Sequence, residues 1–125
     1  MRRLVLESWI LLLYFELIMR FRDFEALHGI VRERKVDPTT STNQISSEDL
    51  CQAVDLACVF YLKQVQCLQR SAATVVLLRR HGWKAEMVIG VQMIPFMSHA
   101  WVEINGLVVN DKPYVLDIYR VLERC

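Results

Sequence analysis

The sequence contains no C-x-x-C pair, and no histidine stands at metal-ligand spacing from its four cysteines, Cys51, Cys58, Cys67 and Cys125. That excludes a zinc-ribbon reading and offers no disulfide framework; it suits a reducing cytoplasm better than a secretory compartment. A charge surplus is also missing, since 15 basic and 14 acidic side chains leave a net charge of +1. The basic residues are scattered (Arg2-Arg3, Arg20 and Arg22, Arg32 to Lys35, Arg79-Arg80), each group beside acidic or apolar neighbours. A solvated surface is expected from them, and no nucleic-acid partner. There are no internal repeats. Nor is there an apolar run long enough to span a bilayer. Arg2-Arg3 followed by Leu4 to Met19 imitates a signal peptide or anchor, but Glu7 and Glu16 interrupt it and no small-residue cleavage site follows. The uninterrupted part, Trp9 to Phe15, falls far short of the roughly 20 residues that a spanning helix requires.

What is present is a globular composition, 54% hydrophobic and 23% charged, in 125 residues, enough for one core. The expected organisation is an N-terminal apolar helical segment over 1–36, a linker over 37–46 and a catalytic-type domain over 47–125. Leu4 to about Phe24 reads as a mostly buried helix that packs on the domain or on a partner, with peripheral membrane contact kept open. Its two glutamates lie about half a turn apart at about 100° per residue, so they define no single polar face. Phe24 to Val36 is its charged continuation or a short second helix. Asp37-Pro38-Thr39-Thr40-Ser41-Thr42-Asn43 is rich in turn formers. Ser46 and Ser47 ahead of Glu48-Asp49 then signal a helix start. Leu50, Val54, Ala57 and Tyr61 repeat at helical spacing, which predicts an amphipathic helix from Glu48 to about Gln64. Cys51 and Cys58, seven apart, share a face of it as small core residues.

From Cys67 the pattern changes. Leu68, Ala72, Ala73, Val75, Val76, Leu77 and Leu78 are too numerous for one stripe, so this helix belongs in the middle of a fold. Arg79-Arg80-His81-Gly82 ends it. Ala85 to Met93, Ser98 to Glu103 and Leu107 to Asn110 read as strands, and Tyr114 to Glu123 as a closing short helix. Helices followed by an antiparallel meander make an α+β domain.

Three residues then stand out as a set. Cys67 opens the central helix, His99 opens the strand Ser98-His99-Ala100-Trp101-Val102-Glu103, and Asp111 follows the strand after Asn105-Gly106. A thiol is mostly protonated at neutral pH, and helix N-termini favour the thiolate and supply N–H donors for an oxyanion. A histidine takes the proton and later returns it to the leaving group. A carboxylate on the far side of the ring fixes its tautomer. Each residue alone is weak evidence, since buried cysteines, strand histidines and turn aspartates commonly have structural roles. Their joint placement is the layout of papain-like and transglutaminase-like hydrolases, acting through a thioester. In strand register, a two-residue Asn105-Gly106 turn sets His99 opposite Lys112, whereas a three-residue loop Ile104-Asn105-Gly106 sets it opposite Asp111. The triad therefore favours the three-residue loop. Trp101 and Phe96 are candidates for lining a pocket, with core packing the stronger expectation for Trp101.

Cys67-Leu68-Gln69-Arg70-Ser71, Gly82, Gly90-Val91, His99-Ala100-Trp101-Val102-Glu103 and Asn110-Asp111 resemble the lasso-peptide leader peptidases, small transglutaminase-like cysteine proteases of lasso-peptide (microcin) processing. The apolar N-terminal helix is similar too. This resemblance implies cytoplasmic cleavage of a ribosomally made precursor peptide at its leader–core junction. Cys67 would be the nucleophile, His99 the general base and acid, and Asp111 the orienting carboxylate. It implies no cofactor and no metal. The implied partners are a separate leader-binding protein and an ATP-dependent lasso cyclase, with this chain as the stand-alone protease. One departure stands against the pattern: where papain-like enzymes carry an oxyanion-hole glutamine six residues before the cysteine, this chain has Tyr61, with Gln64 and Gln66 nearer. A related acyltransferase or amidase using the same triad, and a non-catalytic scaffold, remain the alternative readings.

Overall fold

The computed structural model describes residues 2–36 and 45–125. Five helices and four strands follow in the order α1 (Arg2–Phe21), α2 (Phe24–Glu33), α3 (Ser47–Val59), α4 (Cys67–Arg80), β1 (Ala85–Met93), β2 (Phe96–Ile104), β3 (Leu107–Val108), α5 (Val115–Ile118) and β4 (Arg120–Arg124). This is the expected α+β class: helices first, then an antiparallel sheet of order β3-β2-β1-β4. The expected linker over 37–46 falls, for residues 37–44, outside the described residues.

The first helical stretch divides. Asp23 caps α2, its carboxylate accepting from the Ala26 N–H at 2.9 Å, so α1 ends at Phe21 and a second helix begins. Ser46 caps α3 in the same way on Asp49 N at 3.1 Å. The glutamates of α1 face different neighbours, as their spacing demands: Glu7 pairs with Arg80 at 3.0 Å, and Glu16 accepts from Tyr61 at 2.7 Å. One core joins Leu12 and Phe15 of α1, Leu27 and Val31 of α2, Leu50 and Val54 of α3, the buried body of α4, and Met87 and Val102 of the sheet. Cys51 lies in this core and Cys58 packs against it. The outer side of α1 does not bury its apolar residues: Leu6, Ile10, Tyr14, Leu17 and Phe21 are exposed. The helix is thus less buried than its composition suggests. Among the described residues no helix is long and apolar enough to cross a membrane.

Two corrections concern the C-terminal half. Residues Arg120–Arg124 form β4, where a continuing helix was expected; only Val115–Ile118 is helical. Four of the five β4 side chains are exposed or nearly so, and Val121 alone is half-buried, so no alternating pattern betrayed the strand. It is held by backbone pairing to β1, with Leu122 bulged out between the Ile89–Glu123 and Gly90–Val121 pairs. The β2–β3 turn is also a two-residue loop, since Ile104 faces Leu107 and Glu103 faces Val108. Asn105 (φ 52°) and Gly106 (φ 79°) both take the left-handed conformation, the signature of the type I′ hairpin that Asn-Gly favours. The three-residue loop is therefore wrong.

Arg79 fastens the far end of α4. Its guanidinium donates to Ala85 O (2.9 Å), Val31 O (2.5 Å), Arg34 O (3.0 Å) and Cys125 O (2.9 Å), so one buried side chain ties α2, β1 and the C-terminus together. Arg79→Met keeps the apolar stem and strips donors from four carbonyls. A loss on the order of 3 kcal/mol is expected by urea denaturation. A midpoint shift corresponding to under about 0.5 kcal/mol would show that water replaces the guanidinium at no cost.

Candidate active site

Cys67 is the first residue of α4, as expected, and Gln66 ahead of it is in extended conformation. The first turn of the helix carries no acidic side chain of its own to offset the positive end. Gln69 is almost fully buried and locks this turn in place: its Oε1 accepts from Gln66 N at 3.4 Å and its Nε2 donates to Leu12 O of α1 at 2.7 Å. Cys67 is half-buried, as are Cys58 and Cys125, while Cys51 is buried; burial pushes the Cys51 thiol up to about 11 and raises those of Cys58 and Cys125. Tyr61, at the oxyanion-glutamine position, spends its hydroxyl proton on Glu16.

On β2 the side chains alternate between two environments. Val102 and Ile104 enter the main core, Ala100 is buried on the same side of the strand, and Trp101 belongs to a smaller cluster with Val88 and Val115. His99 shares the Trp101 side. Its Nε2 lies 2.5 Å from Asp111 Oδ2, the contact that the sequence pointed to, although the hairpin register sets no such pair. The explanation is that β3 stops at Val108. Val109 still donates to Val102 O at 3.0 Å, but the Val102 N–H is taken by the side chain of Asn110 (Oδ1, 2.7 Å) instead of a strand carbonyl. From there the chain leaves strand geometry and Asp111 crosses to His99, while its other oxygen, Oδ1, accepts from Lys112 N at 2.7 Å.

The same break in the ladder fastens α4 to β2. Ser71, one helical turn beyond Cys67, donates to Ala100 O at 3.0 Å, and Asn110 Nδ2 donates to Ser71 Oγ at 3.3 Å. Thus the first turns of α4 are fixed on the residue beside His99. Cys67 itself makes no hydrogen bond to His99 in this structure; in substrate-free enzymes such contacts are often long and tighten on binding. The structure brings His99 and Asp111 into contact but not Cys67; Ser71, one turn along α4 from Cys67, bonds to Ala100 and Asn110, the chain neighbours of that pair. No group of three or more His, Cys, Asp or Glu with metal-binding placement occurs among the described residues.

Several neighbours were not singled out from the sequence. Tyr119, at the junction of α5 and β4, stacks on His99 with ring centroids 5.2 Å apart. Buried Glu103 accepts from Trp101 Nε1 at 2.8 Å and pairs with Arg124. The alternation His99, Trp101, Glu103 was readable as one face; Tyr119 carried no local signal. Trp101 is fully buried, a core residue, and Phe96 is exposed at the β1–β2 turn.

The comparisons with known proteins concern the family of the chain. Over 70 residues the chain is 39% identical to the microcin J25-processing protein McjB of Escherichia coli, a match covering 54% of this chain and 34% of that protein. The chain therefore spans about a third of the length of that relative. No solved structure matches. The family model of the transglutaminase-like superfamily matches residues 9–124, from the middle of α1 to the end of β4, and the chain belongs to that superfamily.

Proposed function

We propose that this chain is a cysteine peptidase that removes the leader from a ribosomally made lasso-peptide precursor. The observation that carries the reading is the His99–Asp111 contact at the strand edge where Ser71 pins the thiol-bearing end of α4. The similarity to McjB, a microcin-processing protein by name, supports the substrate class.

With Asp111 ionised, the proton of the imidazole sits on Nε2, and Nδ1 is left as the base. Nδ1 takes the Cys67 proton, and the sulfur attacks the carbonyl carbon of the scissile bond. The negative charge that develops on its oxygen meets the N–H of Cys67 at the start of α4. The imidazolium then gives its proton to the departing amine as the C–N bond breaks, leaving a thioester. Water enters, loses a proton to Nδ1, and hydrolyses the thioester to a carboxylic acid and the free thiol. An amine in place of water would give acyl transfer from the same intermediate.

Presentation of the precursor falls to a leader-binding protein, with the ATP-dependent cyclase acting on the released core. The exposed apolar side of α1, and the groove of about 640 Å³ formed by Arg2, Val5, Leu6, Trp9, Leu56 and Phe60, supply a docking face for a partner. The test is mass spectrometry of a precursor peptide incubated with the purified chain, with and without the leader-binding protein. Cleavage at the leader–core junction, accelerated by the partner at low precursor concentration, is the expected result. Isopeptide products would reassign the chain as an acyltransferase. Intact precursor with the partner present would leave the scaffold reading, and equal rates with and without the partner would remove the division of labour.

A further inference from the structure

We propose that Tyr119 is a positioning residue for His99: it holds the face of the imidazole while Asp111 holds its edge. This rests on the peptidase reading above. The bond to Cβ and the hydrogen bond at Nε2 hold two points of the ring and leave it a tilt about the line between them, which moves Nδ1. The His99 side chain is only 24% exposed, so the motion is limited by whatever covers the ring faces. That cover is the ring stack. Tyr119 lies against His99 at 5.2 Å between centroids and 29° between planes, an offset stacking geometry, and Trp101 flanks the pair at 6.0 Å from His99 and 6.2 Å from Tyr119.

Both supporting rings are themselves anchored. Tyr119 N donates to Val115 O at 2.9 Å, and the next two residues pair with β1 at Val91 and Gly90. Trp101 is fully buried, and its indole N–H is held by Glu103, which Arg124 of β4 secures. Gly90 stands directly across from His99 in the β1–β2 register. A Cβ at that position would lie 2.7 Å from Trp101 Cη2 and 2.9 Å from Tyr119 Cβ, so a side chain there displaces the stack. Glycine at 90, tryptophan at 101 and tyrosine at 119 form one device that presents the ring of His99. When the imidazole takes the proton of Cys67, the π faces beside it also favour the resulting cation.

The experiment compares Tyr119→Leu, Tyr119→Phe, Gly90→Ala and His99→Ala with the wild-type chain. Two quantities are read: kcat and KM on a precursor peptide, and the rate at which iodoacetamide alkylates Cys67 at pH 7, followed by peptide mapping. Tyr119→Leu is expected to lower kcat about 10- to 100-fold with KM within about twofold, and to slow alkylation of Cys67, because misplacement of a catalytic group acts on the chemical step. Tyr119→Phe keeps the ring and stays within about twofold of wild type in both assays. Gly90→Ala shifts the rings without altering Tyr119, and lowers kcat as well; it decides the matter if Tyr119→Leu does not fold. Wild-type kcat and alkylation in folded Tyr119→Leu, or a loss in Tyr119→Phe equal to that in Tyr119→Leu, overturns the stack and leaves the peptidase reading standing. Alkylation of wild type no faster than of His99→Ala removes the Cys67–His99 pair, and the peptidase reading and the stack then fail together.

Discussion

Cys67→Ala is expected to abolish precursor cleavage, with a loss of at least about 10⁴-fold in kcat/KM, because removing the nucleophile leaves only binding and oxyanion stabilisation. The other three cysteines form internal controls. Cys51 is buried in the main core, Cys58 and Cys125 pack against it, and burial raises all three thiols. Cys51→Ala, Cys58→Ala and Cys125→Ala are expected to keep turnover within about twofold and to cost stability on the order of 1 kcal/mol each, as small apolar groups leave the core or its border. A thiol reagent at pH 7 is expected to reach Cys67 first: Cys51 is shielded by the core, and burial raises the Cys58 and Cys125 thiols. Mass spectrometry of the cleavage products and of the labelled peptides reads both effects. Full activity in Cys67→Ala would end the thioester mechanism, whichever residue then proved responsible.

The legible parts of this fold were those in which the side chains themselves carry the pattern. The all-round apolar character of α4 marked it as the central helix, and its start followed from the change of pattern at Cys67, although α3 before it ends at Val59 and not at about Gln64 as its spacing suggested. The strands β1 and β2 followed from their apolar runs. Where backbone or side-chain substitution does the holding, the sequence was mute. β4 is stabilised by its ladder to β1 and buries little, so its residues look like any exposed segment. For Phe24 to Val36 the sequence left a continuation and a short second helix open, and the Asp23 cap decides for the second helix. The register argument failed for an instructive reason. It took β3 to continue through Asp111 and so demanded a three-residue loop, but the Asn110 side chain completes the ladder in place of the main chain and frees the next residue to turn. Asn-Gly turn chemistry and the His99–Asp111 contact are therefore compatible. The Tyr119 stack depends on a strand that had no signal, and it could not be seen before β4 was in place.

That arrangement makes Asp111 and its neighbour Asn110 separable by experiment, although both stand beside the site. Asp111→Asn is expected to preserve the fold and to lower turnover by about ten- to a thousandfold. The amide still fits beside Nε2, but it carries no charge to favour the imidazolium and can offer an N–H where the ring needs an acceptor, which selects the wrong tautomer. In a serine-protease triad the equivalent change costs roughly ten-thousandfold; a cysteine nucleophile relies less on its partner because the thiol parts with its proton more readily. Asn110→Ala acts differently. It strips the acceptor from the Val102 N–H and the donor from Ser71, loosening the seam between α4 and β2. A stability loss on the order of 2 kcal/mol is expected, with a smaller fall in turnover as the Cys67 end of α4 drifts from His99. Urea denaturation and peptide kinetics on both variants give the contrast: a kinetic defect in a stable protein for Asp111, a stability defect with partial activity for Asn110. Normal turnover in Asp111→Ala beside an inactive, fully stable Asn110→Ala would transfer the third catalytic role to Asn110, and the His99–Asp111 contact would then be a structural ion pair.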